Sequence, residues 1–465
     1  MTRGGGYAET GTRLSGRRGY AARSMKSVAP SECPYLAGVA VIDATPHAGM
    51  RLAGFAARTE PCNGVYLPLR GVVTALTEQA TGTRMVIVSL EWLGFYERTE
   101  PLRALIATAT GVPRDHIVLC ATHTHCGPAV CNHVEGDCWE PTDENFLRPK
   151  LENLAAAAAA AFAAQEPVGL RHATGWCGFA HSRRRPNGRG GVEWMPTLEA
   201  PHDHTVPALF FERSDGSLKH VLFSYACHPT GGGAKVQAGG DYAGFAMLEV
   251  EKALGCTAGF LLGCAGDQKP YRPDPSHPGF PSYSVESLQE LGRQLADAVT
   301  REHEFGRCEC VAGALRMQSR RLTLRSTVLP RAAYEAMRHS EQPFFRRWAT
   351  VNLAFLDRGE RPPVELPFEL QTVEFGRTLA LVTMAGEMSV EYGLRLVKEL
   401  GGHYGGVWPV GYANHMVGYV PSERQIPEGG YEVIGSQMFM GRSGPLESGT
   451  EERILAAVRE MLAVA

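Results

Sequence analysis

Between residues 85 and 122 the chain spells out a strand, a helix and a second strand, and that order restricts the folds open to it. Residues 85–90 are unbroken apolar sequence, residues 100–110 have helical periodicity, and residues 117–122 are apolar again. A helical crossover of this length joins strands that run parallel, so the unit predicts an α/β protein.

The pattern continues along the chain. Residues 36–45 read as an earlier strand, and an alanine-rich helix is expected over about 145–165, where helix propensity is high. Residues 207–212 and 219–225 read as strands joined by the turn sequence Ser214-Asp215-Gly216-Ser217. Helices are expected at 243–254, 286–303, 390–400 and 451–462, and strands at 259–262 and 379–383; residues 305–375 should hold strands and a helix around Tyr334. Neither a linker nor an internal repeat is evident. The expectation is one multi-layered α/β domain over 31–465, with mixed, largely parallel sheets.

Composition narrows the function classes. The chain has 465 residues, 44% hydrophobic and 20% charged, with a net charge of −3. That balance gives no electrostatic footprint for nucleic acid or an anionic membrane. No apolar run is long enough to span a bilayer. Residues 1–30 carry Gly, Ser and Arg without an apolar core, so they read as a disordered leader rather than a secretory signal, with Met25 as an alternative start. A cytoplasmic location is expected. Several of the twelve cysteines, among them Cys120, Cys227 and Cys264, fall in or beside apolar strands, where a free thiol packs as a small core residue. Cys126, Cys131, His133 and Cys138 form a cluster that could hold a second metal, but they match no standard zinc spacing.

Chemistry gathers at strand ends. His123 and His125 follow an apolar strand, and alternation along a strand would turn both imidazoles the same way. His228 follows a second strand and Glu387 a third. Ligands of open α/β sheets collect at the carboxyl ends of strands, where loops converge on a crevice. A His, His, Glu set is a normal shell for catalytic zinc, with one position left for water. Alone, His228 reads as a core histidine bonded to a backbone carbonyl and Glu387 as a first-turn helix residue favoured by the dipole; it is the shared strand-end position that favours a metal.

The run Thr122-His123-Thr124-His125-Cys126-Gly127-Pro128 resembles the Thr-His-Thr-His-Ser-Gly-Pro signature of the neutral/alkaline, non-lysosomal ceramidase family. Its companions occur in order: His228 before Gly240-Asp241, then Ala265-Gly266-Asp267, Gly386-Glu387 and Tyr419-Val420. The resemblance runs from about Leu36 past Tyr431 and covers the catalytic domain, without the C-terminal immunoglobulin-like domain of longer members. It implies a Zn2+-dependent amidase that cleaves the N-acyl bond of a sphingoid base with metal-activated water. It also implies His123, His228, Glu387 and Tyr419 as the metal ligands. His125 would bond substrate or pass a proton to the leaving amine, and Tyr431 would stabilise the oxyanion. Arg183 matches an active-site arginine, although the run Arg183-Arg184-Arg185 reads on its own as a solvated basic patch. The implied partner is a small-molecule or lipid acyl amide; the oligomeric state has no sequence signal.

Two positions depart from the family pattern. Cys126 replaces the motif serine, and Lys269 stands where ceramidases carry another serine. Lys269 could read an acidic or phosphate group on the substrate, or point into solvent. Three other readings stay open: an amidase or esterase acting on a small soluble acyl metabolite, a zinc-bearing protein without catalysis, and thiol catalysis by Cys126 with His125 or His133 as base. Gly231-Gly232-Gly233 lacks the ending of a phosphate-binding loop and is expected to be a flexible wall of the active site. Trp92, Trp139 and Trp408 would either line a lipid groove or fill the core.

Overall fold

Three helical crossovers set the architecture of the computed structural model, which describes residues 33–56, 58–130, 142–274 and 276–464. Strand Arg84–Leu90 passes through helix Thr99–Thr110 into strand Ile117–Ala121, and the two strands pair in parallel. Strand Leu218–Tyr225, helix Asp241–Leu254 and strand Thr257–Leu262 repeat the unit. So do Leu379–Met384, helix Val390–Leu400 and Gly406–Val410.

The first two units lie in one nine-stranded sheet. Its order is Thr257–Leu262, Leu218–Tyr225, Thr205–Glu212, Glu166–Trp176, Tyr35–Asp43, Arg70–Glu78, Arg84–Leu90 and Ile117–Ala121, with Glu309–Val311 beside Glu166–Trp176. The third unit lies in a four-stranded sheet ordered Leu315–Arg325, Glu365–Phe375, Leu379–Met384 and Gly406–Val410. The expected α/β class and mixed sheets are found, but the expected predominance of parallel pairs is not. Outside the three crossovers, neighbouring strands of both sheets are antiparallel. Short connections account for the pairs joined at 79–83, 213–217 and 376–378: the turn at Asp215-Gly216, for example, can only reverse the chain.

Apolar side chains sort the elements into four layers. Between the sheets, Tyr35, Ile87, Val118, Leu209 and Leu222 of the large sheet meet Val373, Leu381, Trp408 and Val410 of the small one. On the outer face of the large sheet, Leu102, Ile106, Leu151 and Leu154 cover Val86, Val88 and Leu119. Tyr242, Val250, Leu291 and Leu295 cover Val221, Phe223 and Phe260. Leu396, Leu400, Ile454 and Val458 close the far side of the small sheet over Leu370, Val382 and Met384. The alanine-rich helix Glu144–Ala163 lies unusually close to its sheet, because a Cβ at Gly38 would come within 1.8 Å of the Ala161 carbonyl oxygen. Alanine and glycine permit that approach where larger residues would not.

Asn414 ties the two sheets together at the end that carries the chemistry. Its N–H donates to the Leu119 carbonyl at 2.7 Å, its Oδ1 accepts from Leu119 N–H at 3.1 Å, and its Nδ2 donates to Gln371 at 2.7 Å. Among the described residues, no helix is long and apolar enough to cross a membrane.

Candidate metal centre and active site

His123, His228 and Glu387 each follow the first parallel strand or its partner in one of the three crossover units. The strand before His123 ends at Ala121, so strand alternation does not align the two neighbouring histidines as expected. Instead His123 adopts a left-handed backbone, φ 62°, and this turn brings the His123 and His125 ring centroids to 4.9 Å. Such a conformation costs a non-glycine residue about 1–3 kcal/mol and persists where surrounding bonds over-determine it. Here the His123 N–H donates to the Trp92 carbonyl at 2.9 Å and the ring Nδ1 to the Leu93 carbonyl at 2.6 Å.

His228 is held in the same way. Its Nδ1 donates to the Ala265 carbonyl at 2.8 Å, with the Tyr412 hydroxyl 3.2 Å from the same nitrogen. A carbonyl oxygen only accepts, so both rings carry their proton on Nδ1 and present the Nε2 lone pair to the centre. Both lone pairs face one carboxylate oxygen: Glu387 Oε2 lies 3.3 Å from His123 Nε2 and 3.2 Å from His228 Nε2. That oxygen is buried and makes no hydrogen bond. Tyr419 joins the set because Glu387 and Tyr419 pair in a short parallel bridge, which puts the Tyr419 hydroxyl 3.4 Å from His228 Nε2.

This donor set fits a zinc ion. Two lone pairs aimed at a carboxylate repel one another unless a cation lies among them, and ligands about 2.0–2.1 Å from a tetrahedral ion stand about 3.3 Å apart. The three observed separations match that edge. Burial pushes the Glu387 carboxyl up, but His123 and His228 outweigh it and hold it well below the ordinary carboxylate range. Burial lowers the His228 imidazole to about 4. A second donor set is also present, since the nearest ring nitrogens of His123, His125 and His228 all lie within 4.8 Å of one another.

His125 forms the wall beside the centre. It is buried, and neither ring nitrogen has a hydrogen-bond partner. Burial, reinforced by His123, His228, Lys269 and Arg58, drives its imidazole well below the ordinary histidine range. Gly54 packs against the ring: its φ of 99° and a virtual Cβ contact of 2.4 Å to His125 Cγ admit no larger residue.

Opposite stands Tyr431, at the start of the π-helical turn Tyr431–Gly435, its ring edge-on to Tyr419 at 5.3 Å and to Trp194 at 5.3 Å. Arg183 lies over all three rings, 4.4 Å from Trp194 and 5.3 Å from each tyrosine. It is not a solvated basic patch. Its Nε donates to Glu432 at 2.6 Å and its Nη2 to the Gly266 carbonyl at 2.6 Å, while Arg184 Nη1 donates to the other Glu432 oxygen at 2.6 Å. Lys269, half-buried, donates to Thr230 Oγ1 at 3.0 Å rather than pointing freely into solvent.

His123, His125, Glu387, Tyr419 and Tyr431 line one cleft with a cavity volume of about 110 Å³. Its other walls are mostly apolar, including Leu93, Tyr96, Val130, Phe439 and Met440. An apolar cleft with a few convergent polar groups is the usual form of a small-molecule site. Sequence reasoning missed Tyr412, Glu432 and Arg442, whose Nη1 donates to the Tyr419 carbonyl at 3.2 Å. Tyr412 and Asn414 share the left-handed backbone of His123, but a positive φ on a tyrosine leaves no signal in sequence.

Other expectations are corrected. Burial pushes the Cys126 thiol up to about 11, away from the thiolate that thiol catalysis uses. Gly231 and Gly232 are buried and wrap the Asp241 carboxylate, which accepts from Gly232 N–H at 2.8 Å; they do not line the cleft. Trp92 and Trp408 are fully buried in the core, and among the described tryptophans Trp194 lies near the site. Trp139, Cys131, His133, Cys138 and the leader 1–30 lie outside the described residues.

The same fold recurs among solved structures. One, a neutral ceramidase from Pseudomonas aeruginosa, superposes with a TM-score of 0.71 at 18% identity, over 92% of this chain and 75% of that one. The chain has the neutral ceramidase fold. A ceramidase complexed with C2 gives the same TM-score and identity, over 93% of this chain and 76% of the other. No family model matches the sequence, and no curated protein matches it. At this identity the neutral ceramidase likeness is one of fold, and the chemistry has to be argued from the chain's own side chains.

Proposed function

We propose that this chain is a zinc-dependent amidohydrolase that cleaves an N-acyl, ceramide-like amide bond. The observation that carries this is the meeting of two Nε2 lone pairs and an unpartnered carboxylate oxygen at the wall of an apolar cleft. The ceramidase fold supports it. His123, His228, Glu387 and Tyr419 would hold the ion. Zinc, when bound, supplies Lewis acidity that polarises a carbonyl and makes water nucleophilic near neutral pH.

The remaining steps belong to the chain. The apolar walls take the acyl chain and exclude water. Tyr431 holds its hydroxyl toward the oxygen that gains charge as the carbonyl is attacked. Arg183, clamped by Glu432, fixes the rings of Tyr419 and Tyr431 and adds positive field. His125, whose ring nitrogens have no other partner, takes a proton from the attacking water and passes it to the leaving amine. The described cysteines that form no disulfide suit a reducing, cytoplasmic setting.

A second substrate class, a water-soluble acyl amide in place of ceramide, is favoured by Lys269 and Arg58, two cations beside His125. The test is elemental analysis paired with amine release from short-chain ceramide and from soluble N-acyl amides, each with and without chelator. Near-stoichiometric zinc and chelator-sensitive release are expected. Turnover by metal-free protein would overturn the assignment.

A further inference from the structure

The His125 side of the site is electropositive, and nothing in the hydrolytic scheme requires it to be. Arg58 is buried, donates to the carbonyls of Ala53 at 2.8 Å and His125 at 2.7 Å, and keeps its Nε without a partner. Lys269 approaches from the other side. The His125 N–H donates to the Pro229 carbonyl at 3.3 Å, and the next residue, Thr230, takes the Lys269 ammonium at 3.0 Å. Among the described residues, neither cation has a carboxylate within ion-pair distance, Asp241 acting on Lys269 only from farther off, whereas Arg183 and Arg184 share Glu432 and Arg184 also pairs with Glu428. Withdrawing cations from water without a carboxylate in direct contact is costly, and such groups gain most where an anion completes them.

We infer that Lys269, backed by Arg58, is a docking point for an anionic group, carboxylate or phosphate, on the substrate. This rests on the acyl-amide assignment. Because His125 meets the leaving amine, the anion belongs on the amine portion, and the substrate class is an acidic N-acyl amide. The acyl chain lies in the apolar cleft, and the charged end lies beyond His125.

Three probes share one acyl chain: N-octanoylglycine carries a carboxylate, N-octanoyl phosphoethanolamine a phosphate, and N-octanoylethanolamine no charge. The zinc-loaded wild type is expected to prefer an anionic probe over the neutral one by about tenfold or more in kcat/KM, the size of a charge-assisted contact. The larger of the two anionic preferences identifies the group. Lys269→Met should collapse the anionic-to-neutral ratio, mainly through KM, and Lys269→Arg should retain most of it. Calorimetric titration of the same probes reads that ratio as affinity. Release of amine from no probe therefore counts against the hydrolytic assignment and leaves the docking point tested by binding. Equal handling of neutral and anionic probes by the wild type, or a ratio that survives in a folded Lys269→Met protein, overturns the inference.

Discussion

His123 and Glu387 face each other across the centre, Nε2 to Oε2 at 3.3 Å, with the imidazole proton committed to the Leu93 carbonyl on the far side of the ring. With the proton on Nδ1 neither atom donates to the other, which is the arrangement that two ligands of one proposed cation would have. His123→Ala and Glu387→Ala should each leave the purified protein with little zinc and no chelator-sensitive turnover. The same reasoning predicts that chelation lowers the melting temperature of the wild type and that added zinc restores it, because an ion bound only by the folded state stabilises it. Full zinc content in Glu387→Ala would refute the donor set.

Tyr431 should separate rate from metal binding. Its ring stays packed between Tyr419 and Trp194 when the hydroxyl is removed, so Tyr431→Phe is expected to keep its zinc and its stability. Turnover should fall by about 10²–10³-fold, the usual cost of one oxyanion donor. The comparison to make is zinc per chain against kcat; an unchanged kcat would remove Tyr431 from the chemistry.

Glu432 carries a structural load that its sequence position conceals. One buried carboxylate bonds both Arg183 and Arg184 across 249 and 248 residues of chain. Glu432→Ala leaves Arg183 in the interior without a carboxylate, while Arg184 keeps Glu428 at 3.0 Å, and should cost about 3–5 kcal/mol of stability in urea unfolding. A change below about 1 kcal/mol would mean that water reaches the pair as it would a surface bridge.

These relationships explain what could be read in advance. Residues 85–90 and 117–121 are strands covered by helices on one face and by the small sheet on the other, so every position is apolar or nearly so and the pattern is plain. Glu166–Trp176 was not legible, because Arg171, His172 and Thr174 interrupt its apolar positions. Ala180–Pro186 was not legible either, because a run of three arginines has the composition of an exposed loop until a distant glutamate is known to cover two of them. The metal candidates were visible as residue types after strands. Their approach was not, since it depends on a left-handed backbone at His123 and on carbonyls from Leu93 and Ala265.

Glu91 predicts a pH dependence of stability. It is 1% exposed, and burial pushes its carboxyl up from the ordinary 4.5 to about 7, although the Arg70 charge and N–H pull it back. Between those values the folded protein binds a proton that the unfolded chain has released. Stability therefore falls as pH rises through this window and levels off above about 7. Relative to Glu91→Gln, the wild type should lose about 3 kcal/mol from pH 4.5 to pH 7.5. Parallel unfolding curves for the two proteins across that range would show that Glu91 is ionised throughout.

His125 decides between the two possible donor sets. If His123, His228, Glu387 and Tyr419 hold the ion, His125→Ala binds zinc at wild-type stoichiometry and loses turnover by about 10²–10⁴-fold, as expected for a proton-transfer residue. If three imidazoles hold it, the same variant loses the metal along with the rate. Gly54→Ala gives an independent reading, because its new Cβ would have to displace the His125 ring without removing any nitrogen. Retained zinc with impaired turnover in both variants would place His125 beside the ion, while loss of zinc in both would make it a ligand. The lone pairs already favour the first outcome: His123 and His228 have each committed Nδ1 to a carbonyl and turned Nε2 inward, whereas nothing fixes which nitrogen of His125 carries its proton.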